Sequence, residues 1–443
     1  MIQNLLNVFR VEELRKRILV TIGLLVVYRV GFHVPIPGVD MQKVIEGVRD
    51  QVGTAGQVLG LLNVISGGGF LSLTVFSLGI MPYISSSIIF SLLTKVVPTL
   101  ERLAKEGSSG QRKINQYTRW CTVPICLVQA IFIIRGVLSP TTGMLRDLQP
   151  VPLDVYQTFW FGPVAALALT AGGIFLMWLG EQITEYGVGN GISLLIMAGI
   201  VASLPQSLIQ AFQAMQQDRT EVLRFLLTAA LFVAIVIVVV YITKGQRRIP
   251  VQYAKLTRGR RVYGGQRHHL PLKVNQANVM PVIFASSLLA IPAGIAGMAK
   301  WTTIESALGY GTFLYSLIFI VMIYFFSFFW TALMFNPAEM SKNMKEHGAF
   351  VPGIRPGRKT ADFLEKVMVR ITLAGATFLA FIALLPQSLQ IWLGMDPNLA
   401  AFLGGTSILI VVSVALDLVD KLNNHLLMRN YEGFMKGGGR KRR

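Results

Sequence analysis

Long runs of apolar residues recur from one end of this 443-residue chain to the other. A helix needs about 20 predominantly apolar residues to cross the hydrocarbon core of a bilayer. The composition agrees with repeated crossing, because 53% of the residues are hydrophobic and only 14% are charged. The runs predict an all-α integral membrane protein with ten transmembrane helices, at about 18–34, 74–93, 117–135, 156–178, 191–211, 223–243, 277–298, 313–335, 368–386 and 401–420.

The distribution of basic residues predicts the orientation of these spans. The chain has 41 Lys and Arg against 22 Asp and Glu, which gives a net charge of +19. Most of the basic residues lie in alternate connections and in the two terminal segments, and short segments rich in Lys and Arg stay on the cytoplasmic side. We therefore predict that both termini are cytoplasmic. An excess of positive charge of this size also predicts an anionic partner.

Side chains with catalytic or coupling chemistry are scarce in the predicted spans. The span centres contain essentially no ionisable residues, whereas coupled transporters depend on such groups within the membrane. The sequence also lacks the H-E-x-x-H, G-x-S-x-G and G-x-x-x-x-G-K-[ST] motifs. Cys121 and Cys126 are interpreted as small packing residues. The sequence therefore predicts no enzyme activity, no catalytic residue, no metal and no cofactor.

Two segments allow more than one interpretation from their residues alone. The apolar stretch 58–70 is too short to span a membrane, and it fits either an interfacial helix or a re-entrant half-helix that lines a cavity. The connection Lys244–Lys273 contains nine basic residues and no acidic residue. It fits either an anchor for anionic lipid head groups or a protruding hairpin that docks on a polyanion through arginine and tyrosine.

Four long motifs resemble the bacterial SecY family, whose members are channel subunits of the general protein translocase. They are FSLGIMPYISSSIIFSLLTKVVPTL at Phe76–Leu100, MWLGEQITEYGVGNGISLLI at Met177–Ile196, the basic run Gly245–Asn275, and FNPAEMSKNMKEHGAFVPGIRPG at Phe335–Gly357. The similarity is collinear from RVGFHVPIPGVD in the first predicted span to LGGTSILIVVSVALD in the last. The resemblance therefore covers nearly the whole chain.

The resemblance implies two inverted five-helix halves around a central pore, namely residues 1–211 and residues 212–443. It also implies a ring of aliphatic side chains that narrows the pore, and a dry apolar constriction resists ion leakage. The ring positions are all isoleucine in this chain: Ile80, Ile84, Ile192, Ile196, Ile283 and Ile410. The segment at about 58–70 corresponds to the plug half-helix of the resting channel, with Leu61, Leu62, Ile65, Gly67, Gly68 and Gly69 as its residues.

A lateral gate and a cytoplasmic docking surface are implied in the same way. The gate, between spans 2, 3, 7 and 8, lets hydrophobic segments pass into lipid, and its polar residues are Ser85, Ser86, Ser87, Gln129, Ser286 and Ser287. For each single serine, a hydrogen bond to its own helix is an equally good interpretation. The docking surface lies in the loops 244–275 and 336–367 and includes Arg247, Arg248, Arg258, Arg260, Arg261 and Arg355.

The partners implied by the family are SecE-like and SecG-like small membrane subunits, the SecA motor ATPase, the ribosome, signal sequences with their nascent chains, and anionic lipids. The implied location is the bacterial inner membrane. The predicted function is a protein-conducting channel that translocates unfolded secretory polypeptides and releases hydrophobic segments sideways into the bilayer. A secondary transporter for a small solute is the alternative, and it requires a polar or charged midplane site that the sequence lacks.

Overall fold

A computed structural model describes residues 11–40, 73–139, 151–217, 219–253, 256–258, 261–263, 267–286, 288–289, 312–393 and 405–437. The helices are α1 (Glu12–Gly31), α2 (Met81–Val96), α3 (Pro98–Lys105), α4 (Ser108–Gly136), α5 (Leu153–Gln157), α6 (Phe161–Tyr186), α7 (Gly191–Gln217), α8 (Arg219–Lys244), α9 (Phe313–Met334), α10 (Pro337–Glu346), α11 (Arg358–Leu393) and α12 (Gly405–Gly437). The strands are β1 (Gln246–Tyr253), β2 (Leu256–Arg258), β3 (Arg261–Tyr263), β4 (Arg267–Lys273) and β5 (Ala349–Phe350). Residues 280–286 are also helical.

Several of these helices have the length and composition of membrane spans. Within the ranges described above, α4, α6, α9 and α11 each contain a stretch long and apolar enough to cross a bilayer. Helices α2 and α3 meet this criterion together and are bent by 98° at the break between them, where Pro98 begins α3 because proline is well suited to a first helical turn. The predicted all-α membrane fold is confirmed, and the count of ten spans stays a prediction.

The described residues form two compact units, one made of 11–217 and 410–437 and the other of 219–393 and 405–409. In the first unit, α6 packs against α4 and α7, and α2 packs against α4. Buried side chains from α4 and α6 form one of its cores, with Cys126, Ala130, Ala165 and Leu169 fully enclosed. The division into inverted halves at 211 and 212 stays a prediction.

The helix of the second predicted span begins later than the apolar run that predicts it. Residues 74–80 form a bridge residue and consecutive turns instead of helix, and α2 begins only at Met81. Thr74 pairs with Pro35 in an isolated bridge, and Gly79 adopts a φ of 56°, which breaks a helical path. Pro82 in the first turn of α2 is compatible with the start of a helix, so the run of apolar residues crosses a boundary that hydropathy alone does not reveal.

The second unit joins a helix pair to a small sheet. Helix α9 packs against α11, and the Tyr324 hydroxyl hydrogen-bonds to Thr377 Oγ1 across this contact (2.8 Å). Lys244–Lys273 forms a hairpin, as one of its two alternatives requires, because β1 pairs antiparallel with β4 and β2 with β3. Strand β5 pairs with the other edge of β1, which gives the sheet order β4-β1-β5.

Candidate functional site

Four of the six predicted ring isoleucines contact one hydrophobic core of the first unit. Ile80 is the N-cap residue of α2, and Ile84 lies one turn later on the same face. Ile192 and Ile196 have the same spacing at the start of α7. Ile80 is buried, and the other three are half-buried. Ile80 belongs to this core and the other three pack against it; the core also contains Tyr28, Phe32, Phe76, Leu176, Leu179 and Ile183.

The turn before α7 fixes the position of Ile192. The Asn190 side-chain oxygen caps the helix by accepting hydrogen bonds from the N–H groups of Ile192 (3.1 Å) and Ser193 (3.3 Å). A Cβ at Gly191 would overlap the Gly180 carbonyl oxygen, so only glycine lets the start of α7 approach α6 this closely. The cap and the close approach together determine which face of α7 presents its isoleucines to the core.

The two remaining ring positions lie on other elements. Ile410 is half-buried on α12. Val414 and Leu418, which follow it on the same face of α12, pack against the core that holds the four isoleucines. Ile283 is half-buried on the helical segment 280–286 and belongs to the second unit. The assignment of all six residues to one ring stays a prediction.

Two of the predicted lateral-gate serines are buried, and they make different hydrogen bonds. Ser86 Oγ donates to the backbone carbonyl of Thr118 at 2.7 Å, which links α2 to α4. Ser286 Oγ donates to the carbonyl of Ile283 at 2.9 Å, which is a bond within its own helical segment. Ser86 therefore has the interhelical contact expected of a polar residue between membrane helices, and Ser286 has the local contact that is the ordinary alternative.

The other predicted gate residues lie on α2 and α4 or outside the described residues, and the predicted plug residues all lie outside them. Ser85, Ser87 and Gln129 are half-buried on α2 and α4, and the Ser87 carbonyl accepts a hydrogen bond from Ser91 Oγ at 2.7 Å. Ser287 lies outside the described residues, as do the plug positions Leu61, Leu62, Ile65, Gly67, Gly68 and Gly69. Their roles stay predictions.

The first part of the predicted docking surface is the sheet. Arg247 and Arg248 are exposed neighbours on β1, so they point to opposite faces of the strand. Arg248 shares its face with the exposed β4 residues Arg267 and His269, whereas Ile249 on the other face is buried. One face of the ribbon therefore packs on the protein, and the other presents basic side chains.

Arg258 and Arg261 end β2 and begin β3, and they are paired across the small second hairpin. This pairing places their backbones side by side at the turn of the second hairpin. Arg260, which lies between them in the sequence, is outside the described residues.

The second part of the predicted docking surface is the loop at Arg355, and hydrogen bonds from side chains hold this loop in place. Arg355 is exposed, and its carbonyl accepts a hydrogen bond from Thr360 Oγ1 at 2.9 Å. The buried Ser341 Oγ donates to the carbonyl of Gly357 at 2.6 Å. Because both hydrogen bonds come from neighbouring helices, the loop has a defined conformation and is not merely a connection.

An ion pair that the sequence does not reveal lies near the isoleucine core. Arg119 Nε on α4 donates to Glu181 Oε1 on α6 at 2.6 Å, with the Arg119 side chain about half exposed and the Glu181 side chain mostly buried. Glu181 follows Gly180, the residue whose carbonyl meets α7. No spacing rule joins residues 62 positions apart, so only the packing of α4 on α6 reveals this pair.

The connection between α2 and α4 also contains a local ion pair. Lys105 Nζ donates to Glu101 Oε1 at 2.7 Å, one turn apart on α3. This hydrogen bond and the positive charge of Lys105 lower the pKa of the Glu101 carboxyl. Glu101 is therefore a carboxylate at neutral pH, and it offsets part of the positive charge of this connection.

Curated relatives match this chain over nearly all of its length. The family model SecY matches residues 74–419. The protein translocase subunit SecY of Escherichia coli K12 is 45% identical over 431 residues, which cover 96% of this chain and 94% of that protein. The protein of the same name from Haemophilus influenzae is 43% identical over 432 residues, with the same coverage.

Solved structures match the fold at lower sequence identity. A protein-conducting channel matches with a TM-score of 0.63 and 17% identity, over 93% of this chain and 92% of that one. Canine Sec61 in its ribosome-channel complex from the endoplasmic reticulum matches with a TM-score of 0.60 and 15% identity, over 93% of this chain and 92% of that one. Together with the family model and the curated relatives, this fold shows that the chain belongs to the SecY family of protein translocase channel subunits.

Proposed function

We propose that this chain lets unfolded secretory polypeptides cross the bacterial inner membrane through a pore narrowed by isoleucines, and releases hydrophobic segments sideways into the bilayer. Membership of the SecY family supports protein translocation through a channel. The chain itself performs no chemistry in this proposal. Energy comes from a partner that hydrolyses nucleotide, and both termini of the chain remain cytoplasmic.

The meeting of isoleucines from α2 and α7 on one core is the observation that most supports this pore. Ile84, Ile192 and Ile196 are half-buried: each packs on the core with part of its side chain and leaves the rest accessible. Aliphatic side chains make a constriction that resists wetting, yet they form no directional bonds that would retain a particular passing residue. Ile283 and Ile410 complete the ring in this proposal, and the 58–70 segment closes it at rest.

The docking surface is proposed to receive the SecA motor ATPase or the ribosome. The exposed basic face with Arg248 and Arg267 and the braced loop with Arg355 suit an anionic partner, since arginine pairs well with carboxylate and phosphate groups. SecE-like and SecG-like subunits, signal sequences and anionic lipids are the further partners we propose. Ser86, at the contact of α2 and α4, belongs to the lateral gate.

Cysteine crosslinking to a stalled secretory chain tests the pore assignment. Cys121 and Cys126 are first replaced by alanine, and Ile84→Cys is then introduced as the only thiol. We expect Ile84→Cys to crosslink to a chain arrested in transit. The matched control is Ile89→Cys on the same helix, whose side chain is exposed on a different face.

The proposal requires that crosslinks form at Ile84 and not at Ile89, and only when a secretory chain is engaged. Equal crosslinking at the two positions would show random access to α2. Crosslinking at Ile89 alone would put the passing chain on the other face of the helix and would refute the isoleucine constriction.

A further inference from the structure

Helix α6 exposes a continuous stripe of large apolar side chains. The stripe begins at Trp160, which is 69% exposed, passes through Val164, Leu167 and Phe175, and ends at Trp178, which is 47% exposed. The members recur at three- and four-residue intervals, with one longer step across Ala171, so they lie along one side of the helix. Cores on the other side of α6 contain Ala165, Leu169, Leu176 and Leu179, all fully buried.

The stripe has tryptophan at both ends and a length that matches a bilayer. At about 1.5 Å of rise per residue, the axial distance from Trp160 to Trp178 is about 27 Å, and the hydrocarbon core of a bilayer is about 30 Å thick. Phe159 extends the first end, since its 80% exposed ring contacts the Trp160 ring edge-on at a centroid distance of 5.6 Å. Tryptophan is enriched where a membrane protein meets the two interfaces.

Polar groups begin just outside both ends of the stripe. Beyond Trp178, the Glu181 carboxylate pairs with Arg119, whose guanidinium is half exposed. Before Trp160, the exposed residues Gln157 and Asp154 belong to the short helix α5. Charged and amide groups are costly inside hydrocarbon, so the stripe between them is the part of α6 suited to contact acyl chains.

We infer that this stripe faces the lipid and that Trp160 and Trp178 anchor α6 at the two membrane interfaces. The Phe159–Trp160 pair inserts at the boundary where α6 begins, and Trp178 occupies the opposite boundary next to the Arg119–Glu181 ion pair. The two anchors fix the depth of α6 in the membrane. This inference does not depend on the proposed pore or docking surface.

Quenching of tryptophan fluorescence by brominated lipids measures these depths. The full chain, Trp160→Phe and Trp178→Phe are reconstituted into phosphatidylcholine vesicles with bromine either near the head group or near the end of the acyl chain. The difference between the full chain and each variant isolates one tryptophan among the six in the chain. We expect the fluorescence of Trp160 and that of Trp178 each to be quenched more strongly by the shallow bromine than by the deep one.

A third variant, Leu167→Trp, provides the matched control, since Leu167 is 64% exposed near the middle of the same stripe. Its added fluorescence is expected to show the reverse order, with the larger loss to the deep bromine. If the Trp160 and Trp178 components are not quenched by either lipid, a partner helix or water covers the stripe and the inference is wrong. Deep quenching of Trp160 would equally overturn it. Because Trp160→Phe and Trp178→Phe keep an aromatic ring, both are expected to fold, and the far-ultraviolet circular dichroism of each checks this.

Discussion

At Gly172, α6 lies very close to the turn around Val75 that precedes α2. A Cβ at this position would overlap the Val75 carbonyl oxygen and would lie 2.8 Å from the carbonyl carbon, although ordinary contact begins at 3.4 Å. Val75 cannot move away easily, because its N–H donates to the Val34 carbonyl at 3.0 Å. We therefore expect Gly172→Ala to destabilise the protein.

The structure sets the size of this effect. The backbone of Val75 must shift by roughly 0.6 Å or more, and such overpacking costs about 1–3 kcal/mol. Replacing glycine with alanine within a helix contributes about 0.5–1 kcal/mol in the opposite direction. Gly162→Ala on the same helix isolates the two contributions, because a Cβ at Gly162 meets nothing within 4 Å. The difference between the two variants should thus be about 1–3 kcal/mol.

The free energy of unfolding measures this difference directly. Each variant is unfolded in mixed micelles with an increasing fraction of sodium dodecyl sulfate and followed by circular dichroism. Gly162→Ala should unfold at or above the midpoint of the unmodified chain, and Gly172→Ala clearly below it. Equal midpoints for the two variants would refute the close packing of α6 on the turn at Val75.

Two further experiments test the ion pair and the docking surface. A double-mutant cycle of Arg119→Gln and Glu181→Gln, measured by the same unfolding method, should give a coupling of about 0.5–1 kcal/mol, since the pair is partly exposed. A coupling of zero would mean that α4 and α6 pack without it. Arg355→Glu should reduce motor-driven export into vesicles while the protein stays folded, whereas Lys113→Glu, an exposed charge reversal on α4 outside both docking loops, should not. Unchanged export by Arg355→Glu would remove this residue from the docking surface.

Helical spacing places each isoleucine pair on one face of its helix, whereas only the family resemblance selects these residues for the pore. The intervals from Ile80 to Ile84 and from Ile192 to Ile196 are each four residues, and both pairs lie on the core that holds the other. Hydropathy, by contrast, placed the start of the second span at residue 74, seven residues before α2 begins. The turn there depends on the bridge between Thr74 and Pro35, a contact between distant residues that an average over a local window does not contain.

Contacts between distant residues also explain what else the sequence did not reveal. The Arg119–Glu181 pair and the strand pairing of Ala349 with Tyr253 join residues that are far apart in the chain. Strand β5 has only two residues, which is too short for an alternating pattern to identify. The basic character of both loops is evident from composition, whereas only the folded structure shows that strands from the two loops pair in one sheet.

This union shows how the proposed docking surface is joined to the rest of the second unit. The buried faces of β1 and β4 contribute Ile249 and Leu272 to a core that also contains Leu364, Val367 and Ile371 of α11. Protein cores are packed too closely for one side to slide freely over the other. A displacement of the basic ribbon must therefore move α11, a helix long and apolar enough to enter the membrane. The proposed docking loops are thus packed directly against a membrane helix, which a lipid anchor would not require and the proposed motor-driven channel would.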